Sequence, residues 1–185
     1  LVIYITVDAN SQTSSDQVVI TNLTVTGDLI PCSPQFDVTG PTDIQNTDTG
    51  EYFDTLQEAV DDCDTLDGHT LEMTGDVTTD AQVTLNKEVT LDGNNNTLTP
   101  DFAKPCPSCN DNNSAIGITG TDNVTVQNLV IDGSQGTDLH GINVYESVDI
   151  VIENVTVNDI NRGGIIVNGS AVAVTDFKTS GSGWY

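Results

Sequence analysis

The 185-residue chain reads as an all-β solenoid, a β-helix with three short strands in each coil. Two observations carry that reading. The stretch Ser114–Tyr185 is three near-copies of one line. The first copy holds Ile116-x-Ile118, Val124-x-Val126 and Asn128-Leu129-x-Ile131; the second holds Ile142-x-Val144, Val148, Ile150-x-Ile152 and Asn154-Val155-x-Val157. The third holds Ile165-x-Val167, Val172-x-Val174 and Asp176-Phe177-x-Thr179. Equivalent positions recur after 26 residues and then after 22 or 23, a period that marks stacked coils. The second observation is that apolar and polar residues alternate within each line, so each short segment buries one face.

From the start of the chain, Leu1–Val7 is apolar on both faces and reads as a strand covered on both sides. Asn10–Asp16 is polar and reads as a loop. Val18-x-Ile20-x-Asn22-Leu23-x-Val25-x-Gly27 then repeats Val124-x-Val126-x-Asn128-Leu129-x-Ile131-x-Gly133 at a constant offset of 106. Leu1–Gly27 is therefore expected to hold the three strands of a coil: Ile3/Ile5, Val18/Ile20 and Leu23/Val25. Ile30–Tyr52, with Pro31, Pro34 and Pro41, reads as irregular. A short amphipathic helix is expected within 55–65, where Thr55 and Glu58 form a capping box. Leu56, Ala59, Val60 and Cys63 would line its apolar face. Leu71/Met73, Val83/Leu85 and Val89/Leu91 give another coil, ended by Asp92-Gly93 as Asp132-Gly133 ends a later one. Thr97-Leu98 begins a further short strand, and 99–113 reads as an inserted loop carrying Cys106-Pro107-Ser108-Cys109. Three segments follow: 1–30, an additional coil; 31–69, a linker and helix; and 70–185, the stacked coils.

Lines of this form resemble the rungs of right-handed parallel β-helices of the pectate-lyase-like superfamily, over most of Thr70–Tyr185. The resemblance implies a right-handed parallel β-helix of about four to five rungs with a short N-terminal capping α-helix. It also implies two chemistries to look for. One uses calcium carboxylates with an Arg or Lys base; the other uses several Asp residues with a His and an Arg-x-Lys element. The basic residues here are Lys87, Lys104, Arg162 and Lys178, the histidines are His69 and His140, and no Arg-x-Lys occurs. Arg162 and His140, near Asp138 and Asp159, form the one cluster that could be drawn as a site, and Arg162 is expected to be a surface ion-pair partner. These gaps predict a protein that is not an enzyme and has no catalytic residues. Such repeats serve lyases, hydrolases, phage spikes, adhesins and fibres alike, so function must come from sites.

Asp and Glu number 28 against 4 Lys and Arg, a formal charge of −24. That argues against nucleic acid or an anionic membrane as partner, since both need a basic face. It argues against a polyanionic substrate unless calcium bridges the two. Leu1–Val7 is too short to span a membrane, and no transmembrane segment occurs. A chain beginning at Leu1 is expected to be processed or an excerpt. Cys32, Cys63, Cys106 and Cys109 permit two disulfides; Cys106–Cys109 with Cys32–Cys63 is the simplest pairing, and connectivity stays open. Together with the fold, they predict an extracellular, cell-surface protein.

Asn22, Asn128, Asn154 and Asp176 fall at one corner of successive coils and are expected to stack as an internal ladder. Asn22 and Asn154, though in sequons, are then expected to point inward unmodified. Asn95, Asn112, Asn123 and Asn168 lie in sequons at loops or corners and are the candidates for N-linked glycans. No cofactor is required and no metal site is assigned. Calcium is admitted by Asp92, Asn95, Asp111, Asp122, Asp132 and Asp138, although solvated turn carboxylates are the favoured reading.

Two deficits complement each other. Leu1–Gly27 lies beyond the helix that should close one end, and nothing recognisable caps the rung at the other. The expectation is a filament or surface fibre in which Leu1, Ile3, Ile5, Val18, Ile20, Leu23 and Val25 of one subunit cover Ile165, Val167, Val172, Val174 and Phe177 of the next. The partner is the chain itself, in a head-to-tail homopolymer. The rival readings are an excerpt of a larger adhesin, a carbohydrate-binding or polysaccharide-degrading module, and a monomer in which Leu1–Gly27 folds back.

Overall fold

A computed structural model describes residues 43–103 and 113–183. All of them belong to the unit Pro31–Tyr185. The expectations for Leu1–Gly27, Cys32, Cys106, Cys109, Asp111 and Asn112 lie outside the described residues.

The described chain is mostly β, with one short helix. It opens with a hairpin of β1 (Ile44–Asn46) and β2 (Tyr52–Phe53). Asn46 shapes the turn: its Oδ1 accepts the N–H groups of Asp48 at 3.0 Å and Thr49 at 3.3 Å. Its Nδ2 reaches Thr65 Oγ1 at 2.9 Å, which satisfies a fully buried amide. Regular pairing here departs from the irregular segment expected over Ile30–Tyr52. The hairpin also introduces an antiparallel edge, because β1 pairs antiparallel with β3 (Thr70–Met73), Ile44 opposite Met73.

Helix α1 spans Leu56–Asp61 and begins in the expected capping box. The Glu58 N–H donates to Thr55 Oγ1 and the Thr55 N–H to Glu58 Oε2, each at 3.1 Å. Leu56, Ala59 and Val60 are buried. The helix stops sooner than the expected 55–65, and Cys63 lies beyond it, exposed rather than on the apolar face. Asp62 has already left helical geometry, at ψ 133°.

The remaining strands are short. They are β4 (Val77–Thr79), β5 (Val83–Leu85), β6 (Thr90–Asp92), β7 (Thr97–Pro100), β8 (Ser114–Thr119) and β9 (Thr125–Asp132). Then come β10 (His140–Tyr145), β11 (Ile150–Asn158), β12 (Ile165–Asn168), β13 (Val172–Thr175) and β14 (Lys178–Ser180). From β8 to β13 the chain alternates between two sheets. The smaller contains β5, β8, β10 and β12, all parallel. In the larger, β3, β6, β9, β11 and β13 run parallel in that order. Flanking it, β7 pairs with β4 and β9, and β14 with β11.

Register stacks like on like. Val83, Ile116, Ile142 and Ile165 form one column. Leu71, Leu91, Val126, Ile152 and Val174 form another. A slip of one residue would turn each apolar column to the other face. Val148, expected to share the apolar pattern, instead lies between strands and is 46% exposed. The buried side chains form one continuous core from Ile44 to Ile160.

Candidate functional site

The structure places Ile165 and Val167 on β12, Val172 and Val174 on β13, and Phe177 just beyond. These strands are outermost in their sheets. Strand β12 pairs only with β10, and β13 and β14 pair only with β11, among the described residues. Their far edges therefore present backbone N–H and C=O groups without a strand partner there. Burial falls off in step. Val126 and Ile152 are fully buried, whereas Val174 in the same column is 46% exposed and Val167 is 45% exposed. Ile165, Val172 and Phe177 are half-buried and pack on the core from outside. An apolar, unpaired strand edge is a template for another strand.

Beside this edge runs the asparagine column. Asn128, Asn154 and Asp176 share one backbone geometry, φ of 50°, 51° and 50°. A residue in this left-handed region bends the strand path and breaks its two-residue alternation. Val126 and Leu129, three apart, are consequently both buried. The bend also decides where the column's side chains go. Asn154 is exposed, not turned inward as expected, so the ladder lies on the outside of the sheet. Asn154 Nδ2 donates to Asn128 Oδ1 at 3.0 Å. Asn128 Nδ2 donates in turn to Asp92 Oδ1 at 3.1 Å and Oδ2 at 3.3 Å. Asp92, outside the expected set, is the acidic foot of the column; it also accepts Gln127 Nε2 at 2.7 Å. Asp176 makes no side-chain hydrogen bond among the described residues.

Of the sequon asparagines, Asn95, Asn123, Asn154 and Asn168 are exposed. Asn123 donates to Glu88 Oε2 at 3.1 Å, and the Asn154 amide is engaged in the ladder. Cys63 is disulfide-bonded, with its partner outside the described residues.

Among the described residues, the candidate calcium carboxylates form no cluster. Asp122 accepts the Val148 N–H at 2.8 Å, Asp132 accepts the Ser134 N–H at 3.0 Å, and Asp138 pairs with Arg162 Nε at 2.9 Å. Glu51, Asp62 and Asp64 do converge, with oxygens within 4.8 Å of one another. Asp62-x-Asp64 is the only sequence signal for them, and Glu51 joins through the hairpin. His140 accepts the Gly163 N–H on Nδ1 at 3.0 Å. Arg162 thus braces a corner, held by Asp138 and set 3.5 Å from His140 Nε2.

A cleft of about 370 Å³ lies between α1 and the β4–β5 segment, lined by Gln57, Thr79, Gln82, Asp80 and Asp101 and by no described aromatic side chain. Among the described residues, no helix is long and apolar enough to cross a membrane. Comparison with known proteins finds no matching family model, no matching curated protein and no matching solved structure. The repeat pattern and the strand register therefore carry the functional argument by themselves.

Proposed function

We propose that this chain is a right-handed parallel β-helix and the subunit of an extracellular filament or surface fibre. The observation that carries the proposal is the pair of strand edges at β12 and β13 that have no partner among the described residues, with Val167 and Val174 nearly half exposed. Alternation of β8–β13 between two sheets, with parallel pairing throughout those strands, supports the β-helix, and parallel crossovers are nearly always right-handed. Leu1–Gly27 of a neighbouring copy supplies the covering layer, because Val18–Gly27 repeats the sequence of β9 and its flanks position for position. This is strand addition. The contact joins unlike surfaces, so it propagates as a helical fibre unless it closes into a ring. Burial of Ile20, Leu23, Val25 and their neighbours drives it, at roughly 1.5–3 kcal/mol per large apolar side chain.

The disulfide at Cys63 supports an oxidising, extracellular setting. The charge of −24 keeps neighbouring fibres apart, and glycans at the exposed sequons would add to this. Calcium is a permitted addition, and no enzymatic activity is proposed. The same open edge also suits a longer adhesin whose next rung follows in the same chain.

Electron microscopy of the purified protein at dilute concentration tests the proposal. Uniform fibres one subunit wide are expected, and deletion of Leu1–Gly27 should leave folded monomers. Discrete particles from the intact chain, or fibres that persist after the deletion, would overturn it.

A further inference from the structure

The asparagine column has a direction, and its direction shows what it needs at the open edge. A carboxylate accepts hydrogen bonds and does not donate them, so Asp92 can be met only by the amide nitrogen of Asn128. That orients Asn128, whose Oδ1 must face the other way. Asn154 meets this oxygen with its own Nδ2. Each amide therefore donates towards β6 and presents an oxygen towards β13. The next member of the column is Asp176, at the same left-handed φ of 50°. Its register is unambiguous, because Glu153 pairs with Thr175 and Thr156 with Lys178.

Asp176 cannot continue the chain of donors. It lies opposite Asn154 in the strand register and receives no side-chain hydrogen bond among the described residues. It stands at the top of the column as Asp92 stands at the foot: an acid waiting for an amide from the following layer. The segment that repeats β9 offers that amide at one position. Asn22 matches Asn128 at the constant offset of 106.

We propose that Asp176 is the register-setting acceptor of the subunit junction, bound by the Asn22 side-chain amide of the next copy as Asp92 is bound by Asn128. This rests on the filament reading and adds a specific pair to it. The apolar side chains supply attraction but tolerate sliding by two residues, since alternate positions are similar in size and character. A charge-assisted amide–carboxylate bond at one position discriminates between those registers. In the docked register Ile20 stacks on Val174 and Leu23 on Phe177.

The test is a charge exchange across the junction. Asn22→Asp places two carboxylates opposite each other, and like charges so placed repel. The subunit concentration needed for fibres, read by pelleting and light scattering, should rise roughly fivefold. Adding Asp176→Asn to the same chain restores an amide–carboxylate pair of reversed sense, and the concentration should return to within about twofold of the parent. A defect in folding alone would not be rescued by this second change. If the parent forms fibres and Asn22→Asp leaves their threshold unchanged, the pairing is wrong while the filament reading stands. If Asp176→Asn fails to rescue, the pairing is likewise wrong. If the parent forms no fibres, both fall.

Discussion

Gly93 lies against the corner of the next layer. A Cβ there would stand 2.6 Å from the Asn128 carbonyl oxygen and 2.7 Å from Leu129 Cα. Both are backbone atoms at the bend that carries the asparagine column, so neither can swing aside. Gly93→Ala is expected to destabilise the fold by about 1–3 kcal/mol, seen as a lower urea midpoint. Gly120 is the useful control. It has φ +63° and open space within 4 Å of where a Cβ would stand, so its replacement by Ala meets only the left-handed backbone cost of about 1–2 kcal/mol. If Gly93→Ala proves as mild as a surface change, the tight stacking at this corner is not what holds it. The two residues also show what can be read locally. Asp-Gly recurs at 92–93 and 132–133, so the close approach left a trace in the sequence. The outward aim of Asn154 left none, because identical residues serve either face until the sign of φ is known.

The hairpin and the helix close one end of the sheets, and they differ in how visible they are in the sequence. The capping box of α1 is written within four residues, Thr55 to Glu58, and both of its hydrogen bonds form. Thr55→Ala removes an N-cap oxygen and should lower stability by about 1 kcal/mol, measured by chemical unfolding. A change near zero would mean that packing of Leu56, Ala59 and Val60 alone holds the helix. Strand β1 offers no such signal. It contains one apolar residue, Ile44, whose counterpart Met73 is distant in the chain, and its buried Asn46 is satisfied by Thr65 and His69. Strand β4 is similar, with Val77 its single aliphatic residue paired to Leu98. The stacked strands from β8 onward are legible because the repeat compares the chain with itself. Where no second copy exists, as in the hairpin and the Glu51–Asp62–Asp64 group, tertiary context decides the structure.

At the scale of the whole molecule, a charge of −24 on 185 residues opposes compaction. Self-repulsion over long distances is screened by salt, whose Debye length falls from about 30 Å at 0.01 M to about 8 Å at 0.15 M. The thermal midpoint should therefore rise by several degrees across that range, followed by circular dichroism. A flat or falling curve would place the stabilising interactions in local polar contacts such as Arg162 with Asp138 instead. The hairpin at one end has a consequence for how the molecule comes to be ordered. Ile44 meets Phe53 across a short turn, whereas each parallel layer must close a loop some twenty residues or longer before its first contact forms. A layer that finds a finished edge meets that entropy with a full row of hydrogen bonds; one without an edge does not. Loop entropy thus favours a route on which order spreads from β1–β2 outward and β12–β14 settle last. On that route, the surface that a newcomer strand would grip is the last one the molecule completes.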